Sequence, residues 1–283
     1  MTDRTIAICG LGLIGGSLGL ALRDLGSHLV LGFDSDPETA RSARDRGAVE
    51  VLLPEATALP PDADLVVCAI PPRAAAALVP TLVDAAPGGA AVTDLSSVML
   101  PVLTAVLEEP SRAGRFVGSH PLAGSERGGI ASARGDLFRD APVLLGAPPD
   151  PGSAAARVAA LWTSVGARPT VLAPALHDAL VALTSHVPQV TSTALVRTLR
   201  RTGTLTGTLA RGAGPGLRDM ARLAGSPPDL WYDILTLNAD KVVPALELLE
   251  REVRGLRHAI ERKDPTLRSL LEEARAFQRE IVR

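Results

Sequence analysis

Short, nearly uninterrupted apolar runs alternate with amphipathic stretches up to Leu172, and beyond Pro174 the short runs cease. The runs at 4–9, 29–33, 65–70, 90–94, 115–118 and 142–146 read as strands, with a weaker one at Arg168–Leu172. Helical spacing fills the gaps at Pro37–Arg46, Arg73–Asp84, Val98–Glu108 and 153–165. Strands this apolar, joined by helices, predict a parallel sheet buried on both faces. The second part reads as helices only: Ala175–Arg200, Pro215–Leu223, Asp229–Leu235, Leu237–Arg262 and a last one from Pro265. In the longest, Val242, Val243, Leu246, Leu249, Val253, Leu256 and Ile260 recur at three- and four-residue spacing. A stripe that long in a small domain calls for a partner surface, and a second subunit is expected to supply it.

The first run breaks into Gly10-Leu11-Gly12-Leu13-Ile14-Gly15, and helical sequence follows at once. In that setting Gly10 permits a tight turn, Gly12 leaves room for a pyrophosphate and Gly15 brings helix and strand together. The helix then aims its first amides, those of Leu13 and Ile14 among them, at the anion. The second strand ends at Asp34, where an acid would bond the ribose hydroxyls of a dinucleotide. Asp34 would also repel a ribose phosphate, and Ser35 and Asp36 follow it, so NAD is the expected cofactor. The reading is therefore α/β: a doubly wound, Rossmann-type dinucleotide-binding domain over 1–172, then an all-helical domain over 173–283 for substrate binding and dimerisation.

Composition narrows the partners. A chain of 283 residues with 21% charged residues and a net charge of −2 is no polyelectrolyte, so neither nucleic acid nor an anionic membrane is expected to bind it. The charge-free stretch between Arg4 and Arg23 holds the glycine pattern, and no basic leader precedes it, which predicts a cytoplasmic protein. Cys9 and Cys68 lie in apolar runs as small hydrophobes, with no metal site expected. Lys241 and Lys263 are the only lysines, which leaves chemistry that needs a lysine almost without one.

Polar clusters fall where strands end. Thr93-Asp94-Leu95-Ser96-Ser97-Val98 leads from a strand into a helix, with Ser96 or Ser97 a candidate N-cap. Gly118-Ser119-His120-Pro121-Leu122-Ala123-Gly124-Ser125-Glu126 delivers a histidine, then a glutamate, into a glycine-rich loop, where His120 is placed to exchange a proton. In the helical part, the His-x-Pro of His186-Val187-Pro188 interrupts the backbone ladder. Arg218 and Arg222, four apart on one expected helix face, are candidates to hold the carboxylates of a small acid.

Taken in order with Asp229-Leu230-Trp231, these segments resemble the prephenate and arogenate dehydrogenase family over essentially the whole chain, His-Pro-x-Ala-Gly-Ser-Glu being the specific element. The resemblance implies that His120 is the catalytic histidine and Ser97 the serine beside it, also at the cofactor. It implies that His186 and Arg222 bind substrate, that Glu126 stands at the pocket entrance, and that Trp231 forms an apolar wall. The implied reaction is NAD-dependent oxidative decarboxylation of prephenate, of arogenate, or of the 4-amino-4-deoxy analogue. Met99 stands where the family often has lysine, Gln189 where many members have a second histidine, and Arg218 where lysine is common. The family's frequent C-terminal regulatory domain has no counterpart before Arg283, so no allosteric tyrosine site is expected. A β-hydroxyacid dehydrogenase or imine reductase would share the architecture but use a lysine, tyrosine or aspartate in the helical part. A nucleotide-bound sensor would need the glycines and not His120.

Overall fold

The computed structural model describes residues 4–124, 128–147, 152–201, 208 and 211–281. Eight strands form one sheet: β1 (Arg4–Cys9), β2 (His28–Phe33), β3 (Val51–Leu52), β4 (Ala63–Cys68), β5 (Ala91–Asp94), β6 (Phe116–Pro121), β7 (Pro142–Gly146) and β8 (Arg168–Val171). Their order is β3-β2-β1-β4-β5-β6-β7-β8, so the winding reverses between β1 and β4. In doubly wound sheets ligands gather at the strands' carboxyl ends near such a reversal.

Helices α1 (Leu13–Asp24), α2 (Pro37–Asp45), α3 (Pro72–Ala85), α4 (Leu100–Leu107) and α5 (Ala154–Ser164) connect the strands. Ile6, Ile8, Val30, Leu65 and Val67 meet α1 and α5 in one core, while Cys9, Val66, Cys68 and Val92 meet α3 and α4 in the other. Burial on both faces is what the uninterrupted apolar runs demand.

Two features differ from the expected sheet. β7 runs antiparallel to β6, pairing His120 with Leu144. The segment between them, which in its described residues holds the 3₁₀ turn Ile130–Ser132 and no crossover helix, returns the chain at the end where it left. β6 also extends to Pro121, so His120 is the strand's penultimate residue and not a loop residue. The short β3 carries no periodic signal of its own.

Beyond β8 follow α6 (Pro174–Val181), a π-helical segment (Ala182–His186), α7 (Val187–Arg201), α8 (Pro215–Ala221), a 3₁₀ turn (Arg222–Gly225) and α9 (Pro228–Leu237). The π segment has a local cause. Pro188 has no N–H for the Thr184 carbonyl, and the ladder widens by a residue just before it. The run Pro174–Arg201 has the length and apolar character of a membrane span, yet it buries His177, Asp178, His186 and Gln189.

The chain forms two compact units, Met1–Asn238 and Ala239–Arg283. The expected division at 172 falls within the first, between β8 and α6. The second unit consists of α10 (Ala239–Glu261) and α11 (Thr266–Ile281). Of the α10 stripe, Val242 is buried while Val243, Val253 and Ile260 are exposed.

Candidate active site

The glycine loop has the geometry its spacing implies. Gly10 takes a φ of +94°, and a Cβ on Gly15 would collide with the Gly10 carbonyl oxygen, so α1 starts hard against β1. A Cβ on Gly12 would meet no protein atom within 4 Å. That open space is where a pyrophosphate needs backbone approach. Asp34 accepts from the Leu11 amide at 2.7 Å and from the Asp36 amide at 2.9 Å, tying the end of β2 to the loop. Each carboxylate oxygen keeps a lone pair for a ribose hydroxyl.

A cavity of about 410 Å³ lies over these carboxyl ends, lined by Gly12, Leu13 and Ile14 after β1, Ala69–Pro72 after β4, and Leu95, Ser96 and Ser97 after β5. A second cavity, also about 410 Å³, is lined by Leu122, Ser185, Arg222, Trp231 and Ile234. Ser97, Ala123, Gly124, Pro227 and Leu230 border both. A dinucleotide in the first and a small acid in the second would meet at Ser97.

Ser96 and Ser97 do not cap α4 as expected. The helix begins later, at Leu100 after Met99, and the carboxylate of Asp178 in α6 takes over that role. Its Oδ1 accepts from the Met99 amide at 2.8 Å and its Oδ2 from the Leu100 amide at 2.9 Å. Orphan amides at a helix start need acceptors, and an anion suits the dipole there. Ser97 is thereby left free to line the cavities.

The same carboxylate joins a chain of buried groups. Asp178 Oδ1 meets His177 Nδ1 at 2.7 Å, and His177 Nε2 meets His120 Nδ1 at 2.8 Å. His177 and Asp178 are fully buried, and His120 is partly so. Burial, with His177 and His186 nearby, pushes the His120 imidazole down to about 3, which leaves it neutral at neutral pH before substrate binds. His186 is buried at the end of the π segment and held near 4, chiefly by desolvation. Asn238 Nδ2 donates to the Asp178 carbonyl at 2.9 Å and faces His186 Nδ1 at 3.2 Å. The His186 ring stands edge-on to Trp231, with centroids 5.9 Å apart. Asp94, at the end of β5, is raised to about 7 by complete burial, against hydrogen bonding from Ser96.

The remaining candidates divide. Arg222 is exposed at the head of its 3₁₀ turn, borders the second cavity and has no ion pair among the described residues. Arg218 lies exposed on α8 and is not among that cavity's lining residues, because the helix ends at Ala221 and the two arginines do not share one continuous helical face. Gln189 is buried, with Nε2 donating to the Leu223 carbonyl at 2.9 Å, behind the cavity wall that Leu223 forms. Glu126 lies outside the described residues. His177, Asp178 and Asn238 were not anticipated from the sequence.

Comparison with known proteins decides between the architectures that share this layout. The nucleotide-binding domain of prephenate dehydrogenase matches residues 18–171, and the prephenate dehydrogenase dimerization domain matches 173–273. The chain belongs to the prephenate dehydrogenase family. A cyclohexadienyl dehydrogenase from Zymomonas mobilis is 31% identical over 92% of this chain and 90% of its own. Among solved structures of the family, prephenate dehydrogenase from A. aeolicus in complex with hydroxyphenyl propionate and NAD+ superposes with a TM-score of 0.91 at 28% identity, covering 99% of both chains. Synechocystis arogenate dehydrogenase gives 0.82 at 26% identity, covering 98% of this chain and all of its own. NAD is the cofactor of this chain.

Proposed function

We propose that this chain carries out the NAD-dependent oxidative decarboxylation of a cyclohexadienyl acid, prephenate to 4-hydroxyphenylpyruvate or arogenate to tyrosine. The observation that supports the reading is the shared border of the two cavities at Ser97, across which a small acid would lie next to the dinucleotide. When bound, NAD supplies the hydride acceptor. Everything else falls to the protein. His120 takes the proton of the ring hydroxyl as the carbon beneath it is oxidised, and a neutral imidazole is the form that accepts it. Carbon dioxide leaves and the ring becomes aromatic, so the main task is to hold the ring in one orientation.

Ser97 bonds the ring hydroxyl or steadies His120. Arg222, with no ion pair among the described residues, clamps a substrate carboxylate, Trp231 lines the acid's side of the pocket, and the buried His186 ring backs Trp231 edge-on. Gln189 acts from behind through the Leu223 backbone. The dinucleotide-binding domain ends near residue 172, where the two family matches meet. The protein is a homodimer through its helical part, supported by the dimerization-domain match and the exposed apolar face of α10. It works in the cytoplasm, in keeping with two buried, unpaired cysteines.

The test is turnover with prephenate, arogenate and 4-amino-4-deoxyprephenate, each with NAD and with NADP, following reduced cofactor and released carbon dioxide. Stoichiometric release of both products from prephenate or arogenate, with NAD preferred, is expected. Tight NAD binding without turnover of any acid would overturn the reading in favour of a nucleotide-bound sensor.

A further inference from the structure

With both rings neutral, one set of directions satisfies every contact in the chain from Asp178 to His120. Backbone amides only donate, so Asp178 Oδ1 and Oδ2 are acceptors toward Met99 and Leu100. The third group at this carboxylate, His177 Nδ1, contacts the same Oδ1 and is therefore its N–H donor. A neutral imidazole with its proton on Nδ1 presents a lone pair at Nε2. That lone pair faces His120 Nδ1 at 2.8 Å, which must carry a hydrogen to bond it. The proton of His120 is then on Nδ1 and its Nε2 is bare.

We propose that His177, oriented by Asp178, is a positioning residue that fixes His120 in the one tautomer able to receive the substrate's hydroxyl proton at Nε2. The proposal rests on the reading of His120 as the base. In the step itself the substrate O–H bond breaks, an N–H bond forms at His120 Nε2, and the O–H electron pair stays with the oxygen and forms the carbonyl π bond as the carbon's C–H pair departs as the hydride that bound NAD would accept. His120 becomes a cation with both nitrogens protonated. Its Nδ1–H already points at the His177 lone pair, so no group has to turn as the charge appears, and the Asp178 carboxylate lies one imidazole away to offset it. Without His177, either His120 nitrogen can hold the proton, and the wrong tautomer presents N–H to a hydroxyl it should deprotonate.

Asp178 also caps α4, so substituting it would disturb the helix start as well as the tautomer. His177→Phe is the cleaner perturbation, since it keeps a ring and removes the acceptor. Turnover should fall on the order of 10²- to 10⁴-fold, the scale seen when a catalytic histidine is put in the wrong tautomer, with the Michaelis constant changed less than about threefold. In a His120→Ala background the same substitution should cost nothing further in turnover, which a general loss of packing would not reproduce. Independently of any variant, ¹⁵N chemical shifts of the His120 ring in the full-length wild-type protein should show Nδ1 protonated and Nε2 bare. A wild-type ring protonated on Nε2 overturns the proposal, as does His177→Phe with near-normal turnover when His120→Ala is inactive. Near-normal turnover of His120→Ala would instead remove the reading on which the proposal rests.

Discussion

Gly12 and Gly15 sit three residues apart in one loop, and the structure assigns them opposite consequences when each is given a methyl group. At Gly15 the new Cβ would fall on the Gly10 carbonyl oxygen, which is backbone and cannot swing away. α1 would have to withdraw from β1 by about 1 Å, and overpacking of this kind costs about 1–3 kcal/mol. For a unit of this size that lowers the melting temperature by roughly 2–12 °C. At Gly12 the φ of −69° is one that alanine adopts, and the methyl meets no protein atom within 4 Å. Gly12→Ala should therefore melt within about 2 °C of wild type, since removing a glycine also reduces the freedom of the unfolded chain. Its methyl would instead hold a pyrophosphate away from the amides of Leu13 and Ile14. Losing one charge-assisted bond there costs about 1.5–3 kcal/mol, roughly a 10- to 150-fold rise in the Kd for NAD. Calorimetric titration with NAD and thermal melts of both variants make the comparison. Wild-type NAD affinity in Gly12→Ala would refute the assignment of that open space to the cofactor, and an unchanged melt of Gly15→Ala would refute the close contact.

Asp34→Ala should lower both the melting temperature and NAD affinity, because the Leu11 and Asp36 amides lose their acceptor along with the ribose; a melt like that of Gly12→Ala would contradict this. Arg222→Ala should raise the Michaelis constant tens- to several-hundred-fold with turnover and melting little changed, and Arg222→Lys should recover part, since a guanidinium that grips a remote carboxylate serves ground and transition states alike. A collapse of turnover at a fixed Michaelis constant would place Arg222 at the departing carboxylate instead. Stability should fall on acidification between pH 6 and 4.5. His120 and His186, held down to about 3 and 4, take up protons only on unfolding there, whereas Asp94, raised to about 7, gives one up. Two protons gained against one released leaves one, a slope of about 1.4 kcal/mol per pH unit toward greater stability at higher pH. Replacing both histidines by asparagine should reverse the sign, as urea midpoints across that range would reveal.

The cofactor half was legible because its signals are local. A strand, three glycines and an acid at the end of the next strand each declare themselves within a few residues, and the structure keeps them together. The direction of β7 was not, since a strand's composition does not record which way it runs; the connection after Pro121 decides it. His177 and Asp178 escaped for a different reason. In α6 and the π segment after it the usual pattern is inverted: Leu176, Leu180 and Leu183 are 57%, 40% and 55% exposed, while His177 and Asp178 are wholly buried. Hydrophobic periodicity read in the ordinary sense puts such polar residues outside. Their partners, His120 and the α4 amides, are 57 to 79 residues away in the chain. Serine ahead of a helix was likewise a reasonable cap, and only the distant carboxylate displaced it. Arg218 shows the limit of spacing arguments, because four residues define one face only while the helix continues.

The border shared by the two cavities also has a thermodynamic consequence. Ser97, Ala123, Gly124, Pro227 and Leu230 cannot adjust to one occupant without altering the wall offered to the other. The two affinities are therefore linked, and linkage is reciprocal: whatever factor NAD applies to the acid's equilibrium constant, the acid applies to NAD's. A variant at Leu230 that loosens this wall should bring both ternary affinities toward their binary values by equal factors.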